Sequence, residues 1–255
     1  MMTRQTQADP ASVQQEARQA GEIRAQWAWT EECVWTARML TALARGLKGG
    51  KWFSLIDKVY APATLRSAFA KVKRNRGAPG VDHQTIEAFE RELAVNLERL
   101  EEDLRTGTYR PSPVRRKYIA KAGGGERPLG IPTVRDRVAQ AAVRMVVEPI
   151  FEKTFAEHSY GFRPGRGCKD ALREVDALLK AGYMHIVDVD LKSYFDTIPR
   201  EPLLRRVGEQ ISDGRVLNLL RLMLEQDVME GSGSGPRRRA RPKARSSARC
   251  WPTST

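Results

Sequence analysis

One stretch near the end of the chain, VDVDLKSYFDTIP at residues 187–199, constrains the fold more than any other. Valines and an isoleucine alternate around Asp188 and Asp190, so it predicts a strand with both carboxylates projecting from one face. Carboxylates on an apolar strand are costly to bury unless they bind a cation, and Mg²⁺ commonly uses one or two of them plus substrate phosphates. The alternative is that Asp190 or Asp196 caps a helix at the end of the strand.

The order of elements before this stretch predicts the fold class. A basic hairpin precedes a helix over residues 136–151, and a second helix over residues 169–180 leads into the predicted strand. Strand, helix and strand in this order indicate an α/β (α+β) domain. At 255 residues and 41% hydrophobic composition, the chain is long enough to bury one or two sizeable cores.

The first part of the chain is predicted to be helical. Residues 1–26 are polar and rich in Gln and Ala, which predicts disorder or a frayed helix. Residues 27–47 have helical spacing of apolar residues, and Pro62 is predicted to separate two short helices downstream. A long helix should follow, with Asp82 as its N-cap.

Two segments concentrate basic residues in a pattern that suits nucleic acid. The predicted hairpin has strands at residues 114–120 and 129–131 and carries six cations: Arg110, Arg115, Arg116, Lys117, Lys121 and Arg127. Arg and Lys form charge-assisted hydrogen bonds with phosphate oxygens, although a solvated basic face would have the same composition. The second segment, SYGFRPGRGC, sets Tyr160 and Phe162 beside Arg163 and Arg166. It predicts a loop that stacks on bases or, alternatively, a tight turn with a buried aromatic residue.

Charge, cysteine content and hydropathy bear on the partners and the cellular environment of the protein. The formal net charge is +13, but seven basic residues and no acidic ones fall in residues 231–255, leaving +6 for the rest. The whole-chain charge is therefore weaker evidence for a polyanionic partner than its size suggests. Cys33, Cys168 and Cys250 lie far apart and are interpreted as reduced thiols. No apolar run approaches the roughly 20 residues of a membrane span, and no signal-peptide pattern opens the chain, so we expect a cytoplasmic protein without membrane contact.

Four segments taken together resemble one family. RNRGAPGVDHQTIEAF, KAGGGERPLGIPTVRDRVAQAA, EPIFEKTFAEHSYGFRPGRGCKDAL and VDVDLKSYFDTI occur in the order typical of bacterial group II intron reverse transcriptases/maturases, a family of mobile elements. The resemblance covers roughly residues 27–229 and implies a right-hand polymerase. Residues 27–105 would be a helical N-terminal extension with part of the fingers. Residues 106–230 would be the fingers and first part of the palm.

The resemblance also implies roles for the carboxylates and for the residues at the nucleotide. Asp190 is similar to the first catalytic aspartate, which holds both Mg²⁺ ions of the two-metal mechanism; Asp188 and Asp196 would support it. Lys121 and Arg127 match the fingers residues that grip the triphosphate of an incoming dNTP. Phe195 resembles the bulky residue beneath the incoming sugar, where it would exclude a ribose 2′-hydroxyl.

The implied macromolecular partners are intron RNA or an RNA template, together with a DNA or RNA primer. The stretch around residues 77–82 resembles the extension that contacts template RNA, and residues 160–165 resemble a loop near template and primer. The candidate nucleic-acid-binding residues are Arg76, Arg115, Arg116, Lys117, Tyr160, Arg163 and Arg166. Nothing in the sequence predicts the oligomeric state.

Part of the polymerase that the resemblance implies is missing from the sequence. The family supplies further carboxylates from a Tyr-Ala-Asp-Asp hairpin in the palm, whereas this chain has no Asp-Asp pair. By the same resemblance, we expect the thumb, the maturase domain and any endonuclease domain to be absent from this chain. We therefore expect a truncated chain without polymerase activity of its own. An RNA-binding fragment without catalysis is the alternative function, and a degraded gene product without function is a third interpretation.

The last residues suggest why those parts are missing. Residues 240–255, ARPKARSSARCWPTST, can be encoded by bases that read GTPQGAVISPLLANIY when the frame starts one base earlier. That sequence matches the family's next motif, and two bases of every shifted codon are fixed by the residues present, so chance agreement is rare. The hypothesis is a one-base frameshift near Glu230, which makes residues 231–255 an out-of-frame, disordered basic tail. A basic RNA-binding tail is the alternative.

Overall fold

The computed structural model begins with two helices that pack on each other. It describes residues 10–47, 49–120, 124–191, 194–230 and 239–240. The first helices are α1 (Pro10–Gln26) and α2 (Ala37–Arg45). Of the two alternatives for residues 1–26, disorder or a frayed helix, the structure has the helix over residues 10–26, and the C-terminal half of α1 packs against the core through Ile23. Residues 1–9 lie outside the described residues.

The helix predicted over residues 27–47 is shorter than expected. Residues 27–36 form turns that bury Trp35, and α2 begins only after Thr36. The Thr36 hydroxyl accepts a hydrogen bond from the backbone N–H of Met39 at 3.4 Å, which caps the helix there. The prediction is wrong for residues 27–36 because the turns bury Trp27 and Trp35 as well as a helix would.

Four further helices complete the N-terminal body: α3 (Ile56–Tyr60), α4 (Pro62–Asn75), α5 (Ile86–Arg91) and α6 (Leu93–Thr106). The predicted break at Pro62 is confirmed, since this residue opens α4 where its missing N–H costs nothing. The predicted N-cap Asp82 is wrong. Thr85 caps α5 by accepting from the backbone N–H of Ala88 at 3.1 Å, whereas Asp82 accepts from the N–H of Gln84 in the preceding turn.

The predicted hairpin is confirmed and belongs to a small sheet. Its strands are β1 (Val114–Ala120), β2 (Glu126–Ile131), β3 (Val228–Met229) and β4 (Arg239–Ala240), in the order β2-β1-β3-β4. The β1 strand pairs antiparallel with β2 and parallel with β3, and β4 pairs antiparallel with β3. Of the tail expected to be disordered, only β4 lies within the described residues, and the expectation fails there because its backbone pairs with the edge of β3.

The helix α7 (Val134–Glu152) runs through the centre of the core and contains the helix predicted over residues 136–151. It packs against α3, α4 and α6. The indole N–H of Trp35 donates to the backbone carbonyl of Met145 at 2.9 Å, and Phe69 of α4 stacks on Phe89 of α5 with ring centroids 5.5 Å apart. A single core therefore holds the N-terminal helices against the helix that follows the hairpin.

The last helices are α8 (Cys168–Lys180), α9 (Tyr194–Thr197), α10 (Arg200–Gly208) and α11 (Gly214–Leu224). Asp213 joins α11 to the N-terminal body: its carboxylate caps α11 and also accepts from the backbone N–H groups of Leu55 and Ile56, at 2.6 and 2.9 Å. None of the helices in the described part of the chain is long and apolar enough to cross a membrane.

The strand predicted around Asp188 and Asp190 is wrong. Residues 183–191 are not assigned to a strand, and Val187 is 86% exposed. The helix α8, predicted over residues 169–180, is confirmed, yet none of its residues is buried. A strand needs a neighbour to satisfy its backbone groups, and no strand among the described residues pairs with this segment.

Candidate nucleic-acid interface

The register of the hairpin places three cations on one face. Arg115 lies opposite Ile131, Lys117 opposite Leu129, and Arg127 opposite Ile119. Since alternate residues of a strand and directly opposed residues share a face, the side chains of Arg115, Lys117 and Arg127 project to the same side. Lys117 and Arg127 are exposed and Arg115 is half-buried. Two exposed cations and one half-buried cation on the same face can bind phosphate oxygens.

Arg116 lies on the opposite face and already has a partner. Its side chain is 9% exposed, and its guanidinium pairs with the carboxylate of Glu230 at 2.7 Å. This ion pair joins β1 to the residue after β3 and reinforces the parallel pairing of the two strands. Of the predicted phosphate ligands in the hairpin, Arg116 is thus held by a contact inside the protein. Lys121 lies outside the described residues.

The loop that follows α4 is pressed against the start of α7. The guanidinium of Arg137 donates to the backbone carbonyls of Arg76 and Ala78, at 3.3 and 3.1 Å. A Cβ at Gly80 would lie 2.6 Å from both the Cα and the N of Thr133, so only glycine permits this approach. Arg76 is exposed and has a left-handed φ of 54°. Because Thr133 follows β2 closely, the predicted template-contact loop and the basic hairpin meet at α7.

A buried carboxylate that sequence reasoning missed lies at the base of the hairpin. Asp136 of α7 is fully buried, and it accepts hydrogen bonds from the hydroxyls of Tyr109 and Thr133, at 2.7 and 2.8 Å, and from the backbone N–H of Ser112 at 3.0 Å. Burial raises the pKa of Asp136, and these hydrogen bonds oppose the rise. Burial, followed by the neighbouring Asp136 charge, holds the pKa of Tyr109 well above its usual range. The sequence did contain a signal for Asp136, because Thr133 and Asp136 have the spacing of a capping box at the start of a helix.

The two arginines of the loop before α8 differ in burial and in their contacts. Arg163, whose side chain is 7% exposed, pairs with Glu152 at 2.8 Å and donates to the backbone carbonyls of Ala156 and Ser159. It therefore fastens the loop to the end of α7. Arg166 is exposed and lies 6.0 Å from the ring centroid of the half-buried Tyr160. A cation beside an aromatic face is an arrangement that can stack on a base.

The residues predicted to bind metal do not make a complete site in the described part of the chain. Asp188 and Asp190 are exposed on the extended segment, and the side chains of Phe195 and Asp196 lie outside the described structure. Carboxylates are suitable Mg²⁺ ligands. However, the described residues contain no cluster of three or more His, Cys, Asp or Glu able to hold a metal ion. They do not fit the two-metal centre on their own.

Comparison with known proteins identifies relatives of this chain. The family model of reverse transcriptase (RNA-dependent DNA polymerase) matches residues 119–241. Protein YkfC of Escherichia coli strain K12 is 40% identical over 172 residues, which cover 65% of this chain and 45% of YkfC. The group II intron-encoded protein LtrA of Lactococcus lactis subsp. cremoris is 36% identical, over 64% of this chain and 27% of LtrA. Nuclear intron maturase 4, mitochondrial, of Arabidopsis thaliana is 28% identical, over 71% and 21%. The chain thus spans less than half the length of each relative.

Proposed function

Because the chain belongs to the group II intron reverse transcriptase/maturase family, we propose that its described part is the fingers and first palm segment of an RNA-directed DNA polymerase. Reverse transcriptases are nucleotidyltransferases and generally use divalent metal ions. The specific roles proposed here are to hold a nucleic-acid backbone and to orient the triphosphate of an incoming dNTP.

The observation that carries this proposal is the shared face of Arg115, Lys117 and Arg127. Planar guanidinium groups bind phosphate oxygens through two parallel hydrogen bonds, and an ammonium group adds a point charge. Arg127 would hold the triphosphate together with Lys121, and Phe195 would contact the sugar. Arg76, in the loop fastened to α7 by Arg137, would extend the contact along the template.

Catalysis by this chain alone is not part of the proposal. Asp190 is proposed as a metal ligand, with Asp188 and Asp196 in support, in a centre whose remaining ligands these residues do not supply. The sequence contains no Asp-Asp pair to complete such a centre. We therefore propose that the 255-residue chain binds intron RNA or a primed RNA template without extending the primer. Primer extension with Mg²⁺ on an RNA template checks this, and robust synthesis by the purified chain would refute it.

RNA binding is tested by the salt dependence of affinity. We expect the double variant Lys117→Ala/Arg127→Ala to bind single-stranded RNA more weakly than the wild type. The slope of log K against log salt should fall in magnitude by about 0.7 for each phosphate that the variant no longer binds. The control is Arg91→Ala/Arg99→Ala, which removes the same charge from exposed positions on α5 and α6. Equal slopes for the two double variants, measured by fluorescence anisotropy, would contradict a role for the hairpin face.

A further inference from the structure

The hydrogen bonds to Asp136 come from both ends of the basic hairpin. The hydroxyl of Tyr109 and the backbone N–H of Ser112 belong to the segment that enters β1, and they lie 2.7 and 3.0 Å from the carboxylate. The hydroxyl of Thr133, which follows β2, lies 2.8 Å away. A carboxylate that only caps a helix accepts N–H groups of its own first turn. The carboxylate of Asp136 also accepts hydrogen bonds from Tyr109 and Ser112, which precede the whole hairpin in the chain.

The strand pairing of the hairpin is not enough by itself to fix its position. Among the described residues, β1 has a long partner only in β2, and on its other edge β3 pairs with Val114 and Arg115. A two-stranded hairpin is marginally stable in water on its own. Its orientation relative to α7 is therefore set at its base, where Asp136 lies.

Further contacts lie close to Asp136 at the base of the hairpin. Arg135 lies 4.8 Å from the ring centroid of Tyr109 and pairs with Asp103 of α6 at 2.5 Å. The side-chain amide of Gln226 donates to the carbonyl of Ser112 at 2.5 Å. These groups contact the entering segment alone, whereas Asp136 joins that segment to the residue that follows the hairpin. The close approach of Gly80 to Thr133 brings the loop after α4 to the same point.

We propose that Asp136 is a positioning residue for nucleic-acid binding: its buried carboxylate closes the base of the hairpin and thereby aims Arg115, Lys117 and Arg127 at the phosphates. This inference rests on the proposed function. Asp136 touches no ligand in this scheme and acts only through the hairpin. Removing one hydrogen bond at Asp136 should weaken RNA binding only while the cations of the hairpin are present.

The test uses Tyr109→Phe in the full chain, which deletes one hydroxyl and keeps the buried ring. Tyr118→Phe is the matched control, because it removes a hydroxyl from an exposed tyrosine of β1 itself. Amide hydrogen exchange of β1 should accelerate by roughly tenfold in Tyr109→Phe, as expected for the loss of one buried hydrogen bond. Exchange in α4 should stay unchanged, and the control should match the wild type. Unchanged exchange in β1 would overturn the proposal even in the absence of RNA.

A double-mutant cycle separates positioning from general destabilisation. Tyr109→Phe should weaken affinity for single-stranded RNA by about three- to tenfold in the wild-type background and by clearly less in Lys117→Ala/Arg127→Ala, where Arg115 alone of the three cations remains. The same fold-change in both backgrounds would show that Asp136 does not act through the hairpin face and would overturn the proposal. A wild-type chain that binds no RNA would refute the proposed function, and the exchange experiment would still decide whether Asp136 fastens the hairpin.

Discussion

At the scale of single residues, the hydrogen bond from Tyr109 to Asp136 should make stability depend on pH. The phenol is buried next to a carboxylate, so its pKa in the folded state lies well above the value of about 10 of an unfolded chain. When the pKa of a group is higher in the folded than in the unfolded protein, its contribution to stability is fully present below the unfolded-state pKa. That contribution is lost as the pH rises from the unfolded-state pKa towards the folded-state pKa. Tyr109→Phe lacks it at every pH.

We therefore expect Tyr109→Phe to lower the free energy of unfolding by about 1–3 kcal/mol at neutral pH, since the mutation leaves the buried Asp136 without one donor. The difference from the wild type should shrink above pH 10, where the unfolded wild type ionises. Urea denaturation of both proteins at neutral pH and at about pH 10.5 measures it. A difference that does not change with pH would mean that Tyr109 keeps an ordinary pKa in the folded state.

Two arginines of one loop should respond differently to mutation. Arg163 is buried in an ion pair with Glu152, and removing one partner of a buried pair costs about 3–5 kcal/mol. Arg163→Ala should therefore lower the midpoint of thermal unfolding. Arg166 is exposed beside Tyr160, so Arg166→Ala should keep the midpoint and weaken RNA binding instead. Calorimetry and anisotropy on both variants test the assignment, which fails if Arg163→Ala leaves the midpoint unchanged.

At the scale of elements, the contact of the loop after α4 with α7 depends on the absence of a side chain at Gly80. A Cβ there would lie 2.6 Å from backbone atoms of Thr133 and could not be relieved by a rotamer change. We expect Gly80→Ala to destabilise the protein by about 1–3 kcal/mol, the usual cost of overpacking. Gly208→Ala is the control: its Cβ meets nothing within 4 Å, and it lies within α10, where alanine should be neutral or slightly stabilising. Equal melting temperatures for both variants would contradict the tight contact.

Local signals predicted the elements well where the side chains themselves carry the information. Pro62 and the basic hairpin were predicted correctly because a proline and a glycine-rich turn act on their own backbone. The N-cap was misplaced by three residues because Asp82 and Thr85 are both good caps, and tertiary packing selects between them. Arg116 and Arg163 looked like surface cations. Their partners, Glu230 and Glu152, become visible only when distant segments pack.

At the scale of the whole molecule, apolar side chains are buried in the helical core around α7 but exposed in residues 168–191. The core around α7 buries large residues completely, among them Trp35 and Leu100. In contrast, α8 buries none of its residues, and the apolar side chains of residues 183–191 are exposed. Because exposed apolar patches on proteins mark interaction sites, we expect these side chains to be covered by a partner segment. The alternating pattern of this segment is typical of a strand, but a strand forms only beside a partner, which this chain does not supply among its described residues.

The frameshift hypothesis makes a specific prediction about that surface. The shifted reading of residues 240–255, GTPQGAVISPLLANIY, is largely apolar, whereas the tail in the present frame is basic and polar. A chain continued in that frame would supply apolar residues able to cover α8 and pair with residues 183–191. Correcting the frame by one base should therefore slow amide exchange in residues 183–191 and reduce binding of the dye ANS, while exchange in α4 and α7 stays as it is. The same correction in a chain with Val187→Asp and Val189→Asp should restore neither property. If the coding DNA does not continue as an open frame, or if the corrected chain leaves residues 183–191 unprotected, the hypothesis is wrong.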